Sequence, residues 1–298
     1  RLVGSEMCIR DRICTGKLII GNINTKCISF CTDTRKIKKG DTYIGLKGEK
    51  FNGSEFYKQA LEAGASVCIL QKVEINEETK NKYSDRTIIL VDDTLKALQK
   101  IAKYKRSLYN IPVVAVTGSV GKTSTKDIIA SVISTKYKTL KTEGNFNNHI
   151  GLPLTILKLK DEEALVVEMG MNHFGEISLL TNIAKPTLAV ITNIGTSHIG
   201  NLGSRENILK AKLEITDGMK DQSTLIINND NDMLQTVDLP RLNVVRVGKN
   251  EGASIQASDI ELFEDHSTFI VHYHDQSEKI WVPVQGEHNV FNALIAIA

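Results

Sequence analysis

The segment Val113-Val114-Ala115-Val116-Thr117-Gly118-Ser119-Val120-Gly121-Lys122-Thr123 decides how the chain is read. Val113 to Val116 is a short apolar run of the kind that forms a buried strand. It passes directly into a glycine loop, and Thr123 to Thr135 then has helical spacing. A strand that delivers a glycine loop to a helix N-terminus builds an anion site. Glycines let backbone N–H groups fold round phosphate oxygens, and the helix terminus adds positive potential. In such a loop the lysine, here Lys122, reaches the β- and γ-phosphates of a nucleotide, and the hydroxyl of Thr123 binds Mg²⁺. Gly118, Ser119, Val120, Gly121 and Ser124 make up the rest of the cradle. The usual spacing places a glycine five positions before Gly121, where this chain has Val116. The loop is a shortened one.

The same order of strand, loop and helix continues outward. Leu165 to Val167 is a strand, and Gly175 to Ile183 is a helix stopped at Pro186. Leu188 to Ile191, Leu225 to Ile227 and Val244 to Val247 are further strands. This alternation predicts an α/β fold, a mostly parallel sheet with helices on both faces. Residues 253–285 alternate apolar and polar instead, as at Phe269, Val271 and Tyr273, and predict a small antiparallel part. A helix begins near Asn289 and is still running at Ala298, so the central domain (111–298) reads as truncated.

Upstream, residues 13–110 read as a smaller α/β domain, with Pro112 at the boundary. Its expected elements begin with a short strand at Ile28 to Cys31 and a turn-rich stretch through Gly40, Gly48 and Gly53. A helix from Phe56 to Ala63 stops at Gly64, strands follow at Val67 to Leu70 and Ile88 to Val91, and a helix capped by Asp93 or Thr94 runs to Ser107.

Two domains also suit 298 residues, at roughly 150 residues each. Hydrophobic residues at 41% and charged residues at 24% are ordinary globular usage, enough to bury cores. Lys+Arg 37 nearly cancels Asp+Glu 35, and this balance lends no support to a nucleic-acid or membrane-surface partner. No run approaches the roughly 18 apolar residues of a membrane span. Cys8, Cys14, Cys27, Cys31 and Cys68 are odd in number and lack a Cys-x-x-Cys pair, so reduced thiols are expected, several on buried strand faces. Residues 1–12 contain Arg10, Asp11 and Arg12 and no apolar core, which is not a signal peptide. They join no later pattern and read as an extension foreign to the fold.

Four further features carry chemistry. Glu168 ends the strand Leu165 to Val167. An acid there either points into the ligand crevice, where Mg²⁺ takes carboxylate oxygens, or faces solvent. His198, in Thr192-Asn193-Ile194-Gly195-Thr196-Ser197-His198, falls at the same sheet edge, as a ligand or as a surface residue. Lys212 lies in the helix-like run Arg205 to Ile215, where a lysine defaults to a solvated face. The amide-rich loop Thr142 to His149 either hydrogen-bonds a polar ligand or forms Asx turns. His272 and His274, two apart on an expected strand, share an exposed face and lack a third metal ligand.

With these residues in view, the chain resembles the Mur ligases and their relative, folylpolyglutamate synthase. The blocks that carry the resemblance are TGSVGKTSTKD (117–127), GNFNNHIGLPLT (144–155), EMGMNHFGEI (168–177), TNIGTSHIGNLGSRENILKAKLEI (192–215) and GEHNVFNALIAIA (286–298). Five blocks in order make it specific, and it runs from about residue 16 onward. It implies an ATP-dependent, amide-bond-forming ligase of cytoplasmic peptidoglycan precursor synthesis, acting on small molecules as a monomer. In that chemistry ATP phosphorylates the carboxylate of a UDP-linked peptide, an amine attacks the acyl phosphate through a tetrahedral intermediate, and phosphate leaves. The branch it is most similar to uses UDP-N-acetylmuramoyl tripeptide as the acid and D-alanyl-D-alanine as the amine. A sister ligase that adds the third peptide residue, and a nucleotide-sugar-binding module without turnover, are the alternative readings.

By this resemblance Lys122 and the loop amides hold the phosphates, Thr123 and Glu168 hold one Mg²⁺, and His198 is similar to the ligand of a second. Lys212 matches a lysine that members carry carbamylated. Asn289 and Asn292 match residues near the nucleotide, and Asn145 and Asn148 match residues near the phosphates and substrate. In the first domain Thr32-Asp33-Thr34-Arg35 is similar to the family's Ser-Asp-Ser-Arg motif. Thr34, Arg35, Gly48 and Asn52 are the implied contacts of the UDP-sugar. This chain has Asn52-Gly53-Ser54 where the family usually has Asp-Gly-His. Members carry a third, Rossmann-like domain, so a reading frame extending beyond Ala298 by about one domain is expected, with this stretch inactive alone.

Overall fold

The apolar runs of the N-terminal part pair into a five-stranded sheet in the computed structural model, which describes residues 16–22 and 24–298. Cys8, Cys14 and the expected extension at 1–12 lie outside the described residues. The strands are β1 (Lys17–Ile20), β2 (Phe30–Cys31), β3 (Thr42–Ile44), β4 (Val67–Leu70) and β5 (Thr87–Leu90), in the order β1-β5-β4-β3-β2. β2 to β5 are parallel, and β1 closes the edge antiparallel to β5. Helices α1 (Tyr57–Glu62), α2 (Glu77–Lys82) and α3 (Thr94–Ser107) cover it. Asp93 caps α3 by accepting from the Lys96 amide at 2.9 Å, and Gly64 stops α1 with φ +107°. Tyr43, Tyr57, Leu61, Cys68, Leu70 and Ile88 form the core of this unit.

A buried polar network binds the carboxyl ends of these strands. The Ser54 hydroxyl donates to the Gly45 carbonyl and accepts from the Gln71 amide, both at 2.9 Å. Gln71 Oε1 in turn accepts from the Thr94 amide (2.6 Å) and hydroxyl (3.0 Å). The loop after β3 is thereby tied to β4 and α3. β3 itself lies inside the stretch read as turns. Three residues buried throughout give no alternation to detect.

The chain then runs through β6 (Val113–Thr117), α4 (Lys122–Ser134), β7 (Thr139–Lys141), α5 (Gly151–Leu157), β8 (Ala164–Glu168), α6 (Glu176–Ala184) and β9 (Leu188–Ile191), which build the second unit except for α5 from Pro153 on. The chain continues through α7 (Ile199–Leu202), α8 (Arg205–Leu213), β10 (Thr224–Asn228), α9 (Asp232–Gln235) and β11 (Asn243–Gly248). It ends with β12 (Ile255–Leu262), β13 (Ser267–Tyr273), β14 (Gln276–Val282) and α10 (Glu287–Ile297). The sheet order is β14-β13-β12-β11-β10-β9-β6-β8-β7, parallel from β7 to β12 and antiparallel beyond. Val114, Val116, Val166, Val190 and Ile226 turn to one face and pack with Ile129 of α4, Val290 and Leu294 of α10, and Phe269 of β13. Ala115, Val167 and Ile191 alternate to the other face and are fully buried. Because β6 lies between β8 and β9, the chain leaves it to one side and later returns to the other. That is the switch point at which open α/β sheets bind ligands.

Several boundaries differ from the reading of the sequence. The segment Pro153–Lys160 clusters with the first unit, not the second. The Tyr109 hydroxyl, at the end of the first unit, donates to the Leu159 and Lys160 carbonyls at 3.0 and 3.1 Å. Helix α6 is ended by Lys185 in the left-handed region (φ +49°), one residue before Pro186. His274 does not share a strand with His272. It lies in the turn after β13 at φ +51°, while His272 sits between the hydroxyls of Ser258 and Ser277, each 2.7 Å away. Among the described cysteines only Cys68 is buried, and burial pushes its thiol up to about 12. Among the described residues no helix is long and apolar enough to cross a membrane.

Candidate functional site

The loop between β6 and α4 is closely fitted and requires glycine at two positions. At Gly118 a Cβ would stand 1.9 Å from Thr192 Oγ1, and Gly121 takes φ +80° to start α4. The segment after β9 grips the loop from the side. The Thr192 hydroxyl donates to the Val120 carbonyl at 2.7 Å, and the Gly195 amide donates to Ser119 Oγ at 2.9 Å. Lys122 is half-buried and bends back, its Nζ donating to the carbonyls of Gly118 (2.9 Å) and Ser119 (3.3 Å). Burial lowers the pKa of this ammonium, against the pull of the Glu168 carboxylate.

Glu168 closes β8 and is 2% exposed, so the solvent-facing alternative is ruled out. One carboxylate oxygen accepts from the Thr123 hydroxyl at 2.8 Å, and the other accepts from Asn147 Nδ2 at 2.7 Å. Its own amide donates to Thr142 Oγ1 at 3.1 Å. Buried Lys126, one turn along α4, donates to the Thr142 carbonyl at 2.9 Å and fixes the start of the amide-rich loop.

Beside this pair is a pocket of about 270 Å³ whose lining includes Lys122, Asn147, Asn148, Glu176, His198 and Lys212. Lys212 is not on a solvated helix face: it is 2% exposed. Its pKa falls to about 7, first through burial and then through the neighbouring Lys122 charge. His198 sits in the left-handed region at φ +68°. Its imidazole is held below its usual value by partial burial and by the ammonium groups of Lys212 and Lys122. Beyond the phosphate loop is a second pocket, of about 610 Å³. Val120, Gly121, Ser124, Asn193, Phe291 and Asn292 are among its lining residues. Asn292 is buried and accepts from the Thr125 hydroxyl at 2.8 Å. Lys249 and Glu287 form an ion pair in this lining.

Most of the expected residues of the second unit gather around these two pockets. Asn145 and Asn289 line neither one. Asn289 instead caps the Gln285 carbonyl at 2.9 Å. Asn148 lines the smaller pocket, and its Oδ1 accepts from the Gly151 amide at 2.8 Å at the start of α5. Asn147, Glu176 and Asn193 were not singled out from the sequence. The only signal for Asn147 was its place in the amide-rich loop, and the only signal for Asn193 was its position two residues beyond a buried strand. In the first unit Thr34, Arg35, Gly48 and Asn52 all follow β2 or β3, at the carboxyl edge of that sheet. Arg35 is exposed and pairs with Asp33 through two bonds, at 2.8 and 2.9 Å. The Gly48 amide donates to the Phe51 carbonyl at 2.9 Å, and Asn52 Oδ1 accepts from the Ser54 amide at 3.1 Å.

A shortened phosphate loop at the switch point of a parallel sheet, faced by a buried acid and a buried lysine, defines a phosphate-loop α/β protein. Within that class the chain belongs to the Mur ligase family: the Mur ligase middle domain matches residues 116–298, and the Mur ligase family catalytic domain matches residues 29–106. A UDP-N-acetylmuramoyl-tripeptide–D-alanyl-D-alanine ligase of Bacillus subtilis is 43% identical over 268 residues, 90% of this chain and 57% of the relative. A crystal structure of MurF from Acinetobacter baumannii superposes with a TM-score of 0.86 at 33% identity, covering 97% of this chain and 62% of that one. MurF ligase from Thermotoga maritima in complex with ADP gives 0.81 at 30%, covering 90% and 61%. The chain thus spans about three-fifths of the length of these proteins.

Proposed function

We propose that this chain is the nucleotide-binding and UDP-sugar-binding part of an ATP-dependent ligase that joins D-alanyl-D-alanine to UDP-N-acetylmuramoyl tripeptide in the cytoplasm. The observation that carries this reading is the meeting of Lys122, the Thr123–Glu168 pair, His198 and Lys212 at one phosphate loop. The named activity of its relatives supports the choice of substrates.

The reaction must bring a triphosphate and a carboxylate together, and their repulsion is the main barrier. Lys122 is placed to leave its two carbonyls and neutralise the transferred phosphoryl group. The amides of the first turn of α4 have no partners within the helix and point toward an anion at its N-terminus. Thr123 and Glu168 offer hard oxygen donors, which suits Mg²⁺. Among the described residues no cluster of three His, Cys, Asp or Glu side chains forms a closed cage. Mg²⁺ ordinarily keeps waters and takes phosphate oxygens besides one or two carboxylates, so the two donors fit it. When bound, the ion offsets phosphate charge. Lys212, with its pKa near 7, presents a fraction of neutral amine at neutral pH. Its nitrogen can add to CO₂, forming an N–C bond and releasing one proton. A buried cation becomes a carbamate anion, a group that belongs beside a cationic site. Asn147 holds the Glu168 carboxylate in place, and His198 faces the same pocket.

Calorimetric titration tests the assignment, with Mg²⁺ and a non-hydrolysable ATP analogue present throughout. Tighter binding of UDP-N-acetylmuramoyl tripeptide than of the dipeptide is expected. Tighter binding of the dipeptide would move the assignment to the sister ligase.

A further inference from the structure

Asn193 makes contacts that a residue just past a strand does not ordinarily make. An asparagine there most often caps its own backbone in an Asx turn. Here the side-chain Oδ1 accepts from the amides of Ser119 and Val120, both at 3.0 Å, in a loop more than seventy positions earlier. The Asn193 carbonyl accepts from the Ser119 amide as well, also at 3.0 Å. The segment that presents Asn193 is itself fixed. The Ile194 carbonyl accepts from Arg205 Nη2 at 2.9 Å and from Asn231 Nδ2 at 3.2 Å. Asn193 also lines the larger pocket, beside Val120 and Gly121.

We propose that Asn193 is a positioning residue for the nucleotide phosphates, an internal acceptor that holds the shortened loop in its binding conformation. This rests on the nucleotide reading above. A phosphate loop presents a run of amides to its anion, and each must be aimed before the anion arrives or be ordered by it. Two of these amides, of Ser119 and Val120, are already engaged by Asn193. The amides left for phosphate are those of Gly121 and of the α4 first turn, which the helix itself aims. The loop contains two glycines and would otherwise sample many conformations. With the Asn193 brace the ordering cost is met at folding and not at binding, which is the general basis of pre-organisation.

The test compares Asn193→Ala with the parent chain in two measurements. In amide hydrogen exchange, the Val120 amide, whose acceptor is the Asn193 side chain, should be protected in the parent and exchange faster in the variant, with the overall unfolding transition retained, while the Ser119 amide keeps the Asn193 backbone carbonyl. Equal protection would overturn the brace. In calorimetry, ADP affinity in the variant should fall by up to about tenfold, the upper scale of one lost neutral hydrogen bond, while adenosine affinity stays the same. An unchanged ADP affinity, or an equal loss for adenosine, would overturn the positioning role. A parent chain that bound no ADP would instead contradict the nucleotide reading, and the exchange measurement would still decide the brace.

Discussion

Lys212 shows how far one side chain can depart from its ordinary chemistry. Its burial follows from tertiary packing and leaves no trace in the run Arg205 to Ile215. The sequence therefore offered a solvated face, and only family resemblance pointed to the residue. The phosphate-loop residues were the opposite case, since the chemistry of Lys122 and Thr123 is written in local spacing. The pKa of about 7 has a consequence for stability. In the unfolded chain this lysine titrates near 10.4. Between about pH 7 and 10 the unfolded state therefore binds the extra proton, and stability rises with pH across that window. Below pH 7 both states are protonated and the folded state bears the full penalty of a buried charge. In CO₂-free buffer, thermal melts of the parent should show this upward slope, and Lys212→Met should flatten it while raising the melting temperature at pH 7. An equal slope in the variant would show that Lys212 does not titrate as described.

At the level of elements, long periodic helices and apolar strands are legible, and so are short elements bounded by clear signals, such as β2 and α1, whereas several other short ones are not. α3 and α4 were placed within a residue or so of their observed bounds. β3 and β7 have three residues each, and α5 begins where Asn148 caps it, so neither period nor length revealed them. One inter-element contact deserves a test because it joins the phosphate-loop helix to the last helix. The Thr125 hydroxyl of α4 is fully buried and donates to Asn292 of α10. Asn292→Leu removes the acceptor from a buried donor, which typically costs about 1–3 kcal/mol. Replacing both partners, with Thr125→Val added, should recover part of that loss, since two apolar groups leave nothing unsatisfied. Denaturant unfolding of the single and double variants measures this. A double variant whose loss equals or exceeds the sum of the two single losses would argue against a direct pair.

At the scale of the whole molecule, two units carry two separate sets of expected contacts. The phosphate loop belongs to the second unit, and Thr34, Arg35, Gly48 and Asn52 belong to the first. Lys122→Ala should therefore abolish binding of the Mg²⁺–ATP analogue and leave binding of a UDP-sugar nearly intact. Loss of both in a folded variant, followed by calorimetry, would contradict two independent sites. The central claim concerns the reaction. Its most direct test is ADP release by the chain extended to the length of its relatives, supplied with ATP, Mg²⁺, UDP-N-acetylmuramoyl tripeptide and D-alanyl-D-alanine. The account predicts sustained, multiple-turnover release only when both the tripeptide and the D-alanyl-D-alanine are present, and at most one equivalent of ADP with the tripeptide alone. Equal turnover with the UDP-linked dipeptide and a single amino acid would contradict it.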